Sequence, residues 1–136
     1  MHFFIVIQEE ANFLEMKVII DLIEDIRESI QNNEEYTVAG MLLKENPEGK
    51  PELLYAGEAP IGSFYLDKIS KELILTVDKE SEPLLIGELV KHLLILDMDM
   101  MMSEVKLAIS EEHEPKELVG FGFNATDKKY ALFIMA

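Results

Sequence analysis

SEPLLIGELVKHLLIL, residues 81–96, is the stretch on which the fold turns. Ser81 offers a capping hydroxyl, Glu82 places an acid at the positive end of a helix dipole, and Pro83 suits a first turn, so the spacing predicts a helix running to about Leu96. Leu84, Leu85, Ile86, Leu89, Val90, Leu93, Leu94 and Ile95 make that helix apolar nearly all round. Such a helix is either buried in the core or covered by a partner subunit.

Downstream, a Met-rich passage leads into residues 104–110, where Val105, Leu107 and Ile109 alternate with Glu104 and Lys106 as in a strand with one wet face. A polar loop through Lys116, a strand over 117–123, a turn over 124–128 and a last strand reaching Met135 complete this side. Upstream, Phe64, Leu66, Leu73, Leu75 and Val77 predict a hairpin turning around Asp67 to Lys71. Strands are also expected at Tyr36 to Lys44 and Glu52 to Ala56, joined by Asn46-Pro47-Glu48-Gly49 with the residue order of a type I turn.

Ahead of these, Asn12 and Glu15 have capping-box spacing, and Phe13, Met16, Ile19, Ile20, Ile23, Ile26 and Ile30 recur at three- and four-residue intervals. A helix to about Gln31 follows, preceded by an apolar strand over His2 to Ile7. The order β-α-β-β-β-β-α-β-β-β predicts an α+β fold, a mostly antiparallel sheet with two principal helices packed on it, as one domain over residues 1–136. No repeat, linker or composition shift divides the sequence.

The 27 acidic and 12 basic residues give a net charge of −15. Such a field repels nucleic-acid phosphates and anionic lipid and favours a basic protein partner. Seven of those fifteen charges fall within the first 35 residues, where Asp21, Glu24, Asp25 and Glu28 form an acidic ridge opposite the apolar stripe of the first helix. With no cysteine, thiolate catalysis, disulfides and Cys-ligated metals are excluded. The apolar start lacks a basic leader region and the longest apolar stretch is too short and too interrupted for a membrane span, so a cytoplasmic location is expected.

Two further groups carry candidate chemistry. Asp97, Asp99 and His113 combine hard oxygen ligands with an imidazole and would suit a divalent cation if their loops converge, although a solvated loop explains His113 and its acidic neighbours more simply. Met98, Met100, Met101 and Met102 could bind a soft metal as thioethers, fill core gaps, or form an adaptable contact surface. His92 on the apolar helix is read as satisfied locally rather than as a general base. Gly120 and Gly122 are strand glycines, not a dinucleotide fingerprint, and no nucleophile elbow or phosphate loop accompanies them.

In composition and element order the chain resembles bacterial secretion chaperones and toxin-neutralising immunity proteins, which hold partners with sheets, apolar patches and negative charge; it departs from the chaperones in ending on a strand. The resemblance implies a non-enzymatic binding or adaptor protein without a cofactor. On that reading the ridge steers a basic partner, and the Met-rich passage or the Pro83 helix buries apolar surface in a homo-oligomer. The alternatives are a small-molecule or divalent-metal-dependent enzyme using Asp97, Asp99 and His113, and a structural subunit of a larger assembly.

Overall fold

A computed structural model describes residues 4–7, 17–30, 35–45, 53–110 and 114–135. In chain order the elements are β1 (Phe4–Ile7), α1 (Ile19–Ile30), β2 (Thr37–Glu45), β3 (Leu53–Asp67), β4 (Glu72–Val77), α2 (Ile86–Leu93), α3 (Met98–Met101), β5 (Glu104–Ala108), β6 (Lys116–Glu117), β7 (Gly120–Asn124) and β8 (Lys129–Met135). The capping residues Asn12 and Glu15, the turn at 46–49 and His113 lie outside the described residues.

The strands run in the order β1-β7-β8-β2-β3-β4-β5-β6. The sheet is mixed rather than mostly antiparallel: β8 lies parallel to β2, and β4 parallel to β5, between antiparallel neighbours. Both parallel pairs follow from long connections, since β4 reaches β5 only after α2 and α3, as a parallel pairing requires. The sheet also curls, bringing β6 near β8. Lys116 and Glu117 pair with β5, while the backbone amide of Val119 donates to Phe133 of β8 at 2.8 Å. Residues 117–123, expected as one strand, thus divide at Leu118 and Val119 as the chain passes from one end of the sheet to the other.

The long strand β3 makes the curl. It pairs with β2 as far as Pro60 and with β4 from Ile61 onward, with a register shift between Ile61 and Ser63. Pro60 has no amide to donate, and Gly62 leaves room for the loop behind it: a Cβ there would stand 2.2 Å from Ser81 Oγ and 2.6 Å from Asp78 Cβ. The sequence suggests two strands because Gly57, Pro60 and Gly62 are strand breakers, whereas here they permit one strand to change partners.

Residues 84–86 occupy the edge of β2 that β3 vacates. Leu84 donates its amide to Ile61 O at 2.8 Å and accepts from Val38 N at 2.9 Å, and Ile86 N donates to Tyr36 O at 2.7 Å. Backbone pairing therefore overrides the capping signal at Ser81, and α2 begins only at Ile86. Lys17 and Val18 join the edge of β5, with Val105 N donating to Lys17 O at 2.7 Å, and among the described residues α1 begins at Ile19.

The main core lies between the concave sheet face and the helices. Ile19, Leu22, Ile23, Ile26 and Ile30 of α1 and Ile86, Leu89 and Leu93 of α2 pack with Leu73, Leu75, Val105, Leu107, Tyr130, Leu132 and Ile134. Met41, Leu43, Ala131 and Phe133 form a second cluster on the opposite face of β2 and β8. With both faces of these central strands buried, their near-continuous apolar runs are explained. Among the described residues no helix is long and apolar enough to cross a membrane.

Candidate functional site

The acidic ridge of α1 is narrower than its sequence suggests. Glu24 and Glu28 are exposed one turn apart, with Arg27 exposed beside them. Asp21 instead caps its own helix, its carboxylate accepting from Val18 N at 3.1 Å. Asp25 faces β8, where it accepts a hydrogen bond from the hydroxyl of fully buried Tyr130. Burial holds the Asp25 carboxyl above its ordinary range, and Glu28 adds to that effect, while the bonds from Tyr130 and Ser29 and the charge of Lys17 counter it. Burial, then the Asp25 charge, raises the Tyr130 phenol as well. Buried Lys17 lies 5.7 Å from the centroid of the Phe121 ring, which stacks on Tyr130. Asp25 therefore belongs to a polar node under the helix.

Asp97 and Asp99 serve α3. Asp97 Oδ1 accepts from Met100 N at 2.9 Å as the cap of this short helix, and Asp99 pairs with Lys71 of the β3–β4 turn at 2.9 Å. Among the described residues no three His, Asp or Glu side chains come together to hold a metal ion. His92 Nδ1 lies 2.8 Å from Glu88 O, and its ring meets Phe64 edge-on, an arrangement that satisfies the imidazole within its own helix.

The methionines divide. Met101 packs against the main core and Met100 is half-buried, but Met98 and Met102, one helical turn apart, are 69% and 57% exposed. Directly before them, Leu94 and Ile95 at the end of α2 are 46% and 82% exposed, and Ile69 in the β3–β4 turn is 99% exposed. Two contacts bring that turn alongside α3: the Lys71–Asp99 pair and the bond from Glu104 N to Lys71 O at 3.0 Å. The turn is itself built tightly, with Asp67 Oδ1 accepting from Ile69 N and Ser70 N and with Lys71 at a φ of 56°. Five large apolar side chains of these neighbouring segments thus meet water, as do Tyr65 and Leu85. Clustered exposure of this kind marks interaction surfaces, whereas scattered apolar residues do not.

Sequence reasoning missed a charged group on the outer face of β4, β5 and β6. Lys106 Nζ stands 2.5 Å from Glu72 and 3.9 Å from Glu104. Burial and a hydrogen bond with Glu117 raise the Glu104 carboxyl, and the bond to Glu72 raises the Lys106 ammonium. The period-two alternation of β5 put Glu104 and Lys106 on one face, but Glu72 and Glu117 join them only through strand register. Lys106 thus offsets part of the acidic charge that the strand register gathers there.

Comparison with protein-family models, catalogued proteins and solved structures finds no match. The site must be read from its own geometry. That geometry leaves Met98 and Met102 exposed, like Leu94, Ile95 and Ile69 on the neighbouring segments, separates Asp25 from Glu24 and Glu28, and engages Asp97 and Asp99 in holding α3. Of the apolar corner, the sequence carried the methionines and the excess of apolar residues on the Pro83 segment. Ile69 was hidden because an isoleucine in a hairpin turn gives no periodic signal.

Proposed function

We propose that this chain is a non-enzymatic protein-binding module that makes its main contact through the corner formed by the end of α2, α3 and the β3–β4 turn. The observation that carries the reading is the exposure of Ile69, Leu94, Ile95, Met98 and Met102 together, in a fold that buries the central strands of its sheet on both faces. Thioether side chains adapt to varied apolar partners, which suits a docking surface. Glu24 and Glu28 on α1, which packs beside α2 and α3, add a negative face that steers a basic partner. A cytoplasmic location fits a cysteine-free, strongly acidic chain of this kind.

Affinity capture from the native cell tests the reading with three baits: the unaltered chain, the Ile95→Asp/Met98→Asp double variant and the Glu24→Lys/Glu28→Lys double variant. The unaltered chain is expected to retain a reproducible basic protein in low salt. Retention should be lost with the corner variant and weakened with the ridge variant. Retention no greater than that of an unrelated protein of equal negative charge would end the proposal.

A further inference from the structure

We propose that β6 is a pH-sensitive latch, held against β5 by one proton that Glu104 and Glu117 share and loosened when that proton leaves. β6 has only two residues, with Glu117 opposite Lys106 and Lys116 opposite Leu107. So short a pairing has few backbone bonds, and its side chains weigh heavily in whether it holds. Leu118, directly after β6, is buried in the main core, so the latch governs how firmly that end of the core is closed.

Strand register gathers three acids around one lysine. Glu104 lies opposite Glu72 of β4, and Glu117 lies opposite Lys106, which shares a face of β5 with Glu104. The charges acting on Glu104 are those of Lys106, Glu117 and Glu72, while Asp67 acts in turn on Glu72. The rest of this edge of β5 is taken by Lys17 and Val18, and the Lys17 ammonium lies over the Phe121 ring. Lys106 is engaged chiefly by Glu72, at 2.5 Å against 3.9 Å for Glu104.

The Glu104 side chain is only 15% exposed, and its Oε1 is buried from solvent with no hydrogen-bond partner among the described residues. Its carboxyl nevertheless meets that of Glu117 in a hydrogen bond. Two carboxyl groups can hydrogen-bond only if one of them carries a proton. Desolvation puts that proton on Glu104, and exposed Glu117 accepts it in the bond. Without the proton, two like charges face each other across β5 and β6, one of them out of water.

Burial and this bond hold the Glu104 carboxyl above its ordinary 4.5, so its contribution to closure is complete below that pH and is lost as pH rises through the folded value. Between those limits the ratio of closed to open β6 falls by up to about tenfold per pH unit, then levels off. The Glu72–Lys106 pair has the opposite sign. Its carboxyl is held low, so the pair is lost only on acidification, and it joins β4 to β5 rather than β5 to β6.

Amide hydrogen exchange by NMR on the full chain, from about pH 5 to about pH 8 and corrected for intrinsic exchange, is the test. Protection of the hydrogen-bonded amide of β6 should fall with rising pH and then level off, while amides of β4 keep theirs. The carboxyl carbon of Glu104 should titrate over the same span, above 4.5. Glu104→Gln and Glu117→Gln each put a permanent N–H donor in place of the shared proton, so in both variants β6 should stay protected at every pH. Unchanged exchange in β4 would show that the variants are folded. A β6 amide that follows β4 throughout would overturn the inference, as would a fall that persists in both variants or a Glu104 carboxyl titrating at 4.5 or below.

Discussion

Tyr130 and Asp25 sit 105 residues apart in sequence and share one hydrogen bond across the helix–sheet interface. Removing the donor by Tyr130→Phe leaves a half-buried carboxylate short of a partner, so a loss of ~1–3 kcal/mol is expected in urea unfolding. A variant as stable as the unaltered chain would show that water replaces the phenol. The raised Asp25 carboxyl also makes stability depend on pH. The folded state binds that proton more tightly than the unfolded chain, whose carboxyl keeps its ordinary value of 3.8. Its contribution is complete below that pH and is lost as pH rises through the higher folded value. Asp25→Asn keeps an acceptor for Tyr130 without the titration. The stability of the variant relative to the unaltered chain should therefore grow with pH above 3.8 and then level off; a flat or falling difference would contradict the assignment. Nothing in the sequence distinguishes Asp25 from Glu24 or Glu28, because which acid turns inward depends on the tyrosine that the sheet brings beneath α1.

The elements show where local signals prevail and where tertiary pairing overrides them. The buried stripe of α1, the alternation of β5 and the hairpin around Asp67 to Lys71 are legible because one face of each meets the core or because a turn forms from adjacent residues. The start of α2 is not legible, since Leu84 is drawn to the edge of β2, and the strand-like pairing of Lys17 and Val18 with β5 is also hidden. Neither strand edge is visible in a single segment. The course of β3 is equally hidden, because glycine and proline normally end strands. Gly62 carries a specific prediction. Gly62→Ala forces a methyl group to within 2.6 Å of Asp78 Cβ and should cost ~1–3 kcal/mol or more, whereas Gly57→Ala meets only Leu42 Cδ1 at an ordinary 3.8 Å. Comparable thermal melts for the two variants would mean that the 78–81 loop moves aside freely.

For the molecule as a whole, composition announced the acidity, and the Pro83 segment an unusually apolar helix. It could not say that the sheet curls, burying the central strands on both faces and leaving large apolar side chains exposed at the end of α2, on α3 and in the β3–β4 turn. A helix apolar all round could belong to a core or to an interface, and the segment divides: Ile86, Leu89 and Leu93 of α2 are inside, while Leu94 and Ile95 just beyond it are outside. The Met-rich passage divides in the same way, so neither an internal filler nor a free surface describes it alone. The central claim is that this corner is covered by protein in the cell. It is tested most directly by the rate at which peroxide oxidises Met98 and Met102, read by mass spectrometry against free methionine added as an internal reference. In dilute purified protein both should oxidise quickly and Met41, buried between the strands, slowly; in native cell extract Met98 and Met102 should slow several-fold. Equal rates for Met98 and Met102 in the two settings would show the corner uncovered and contradict the account.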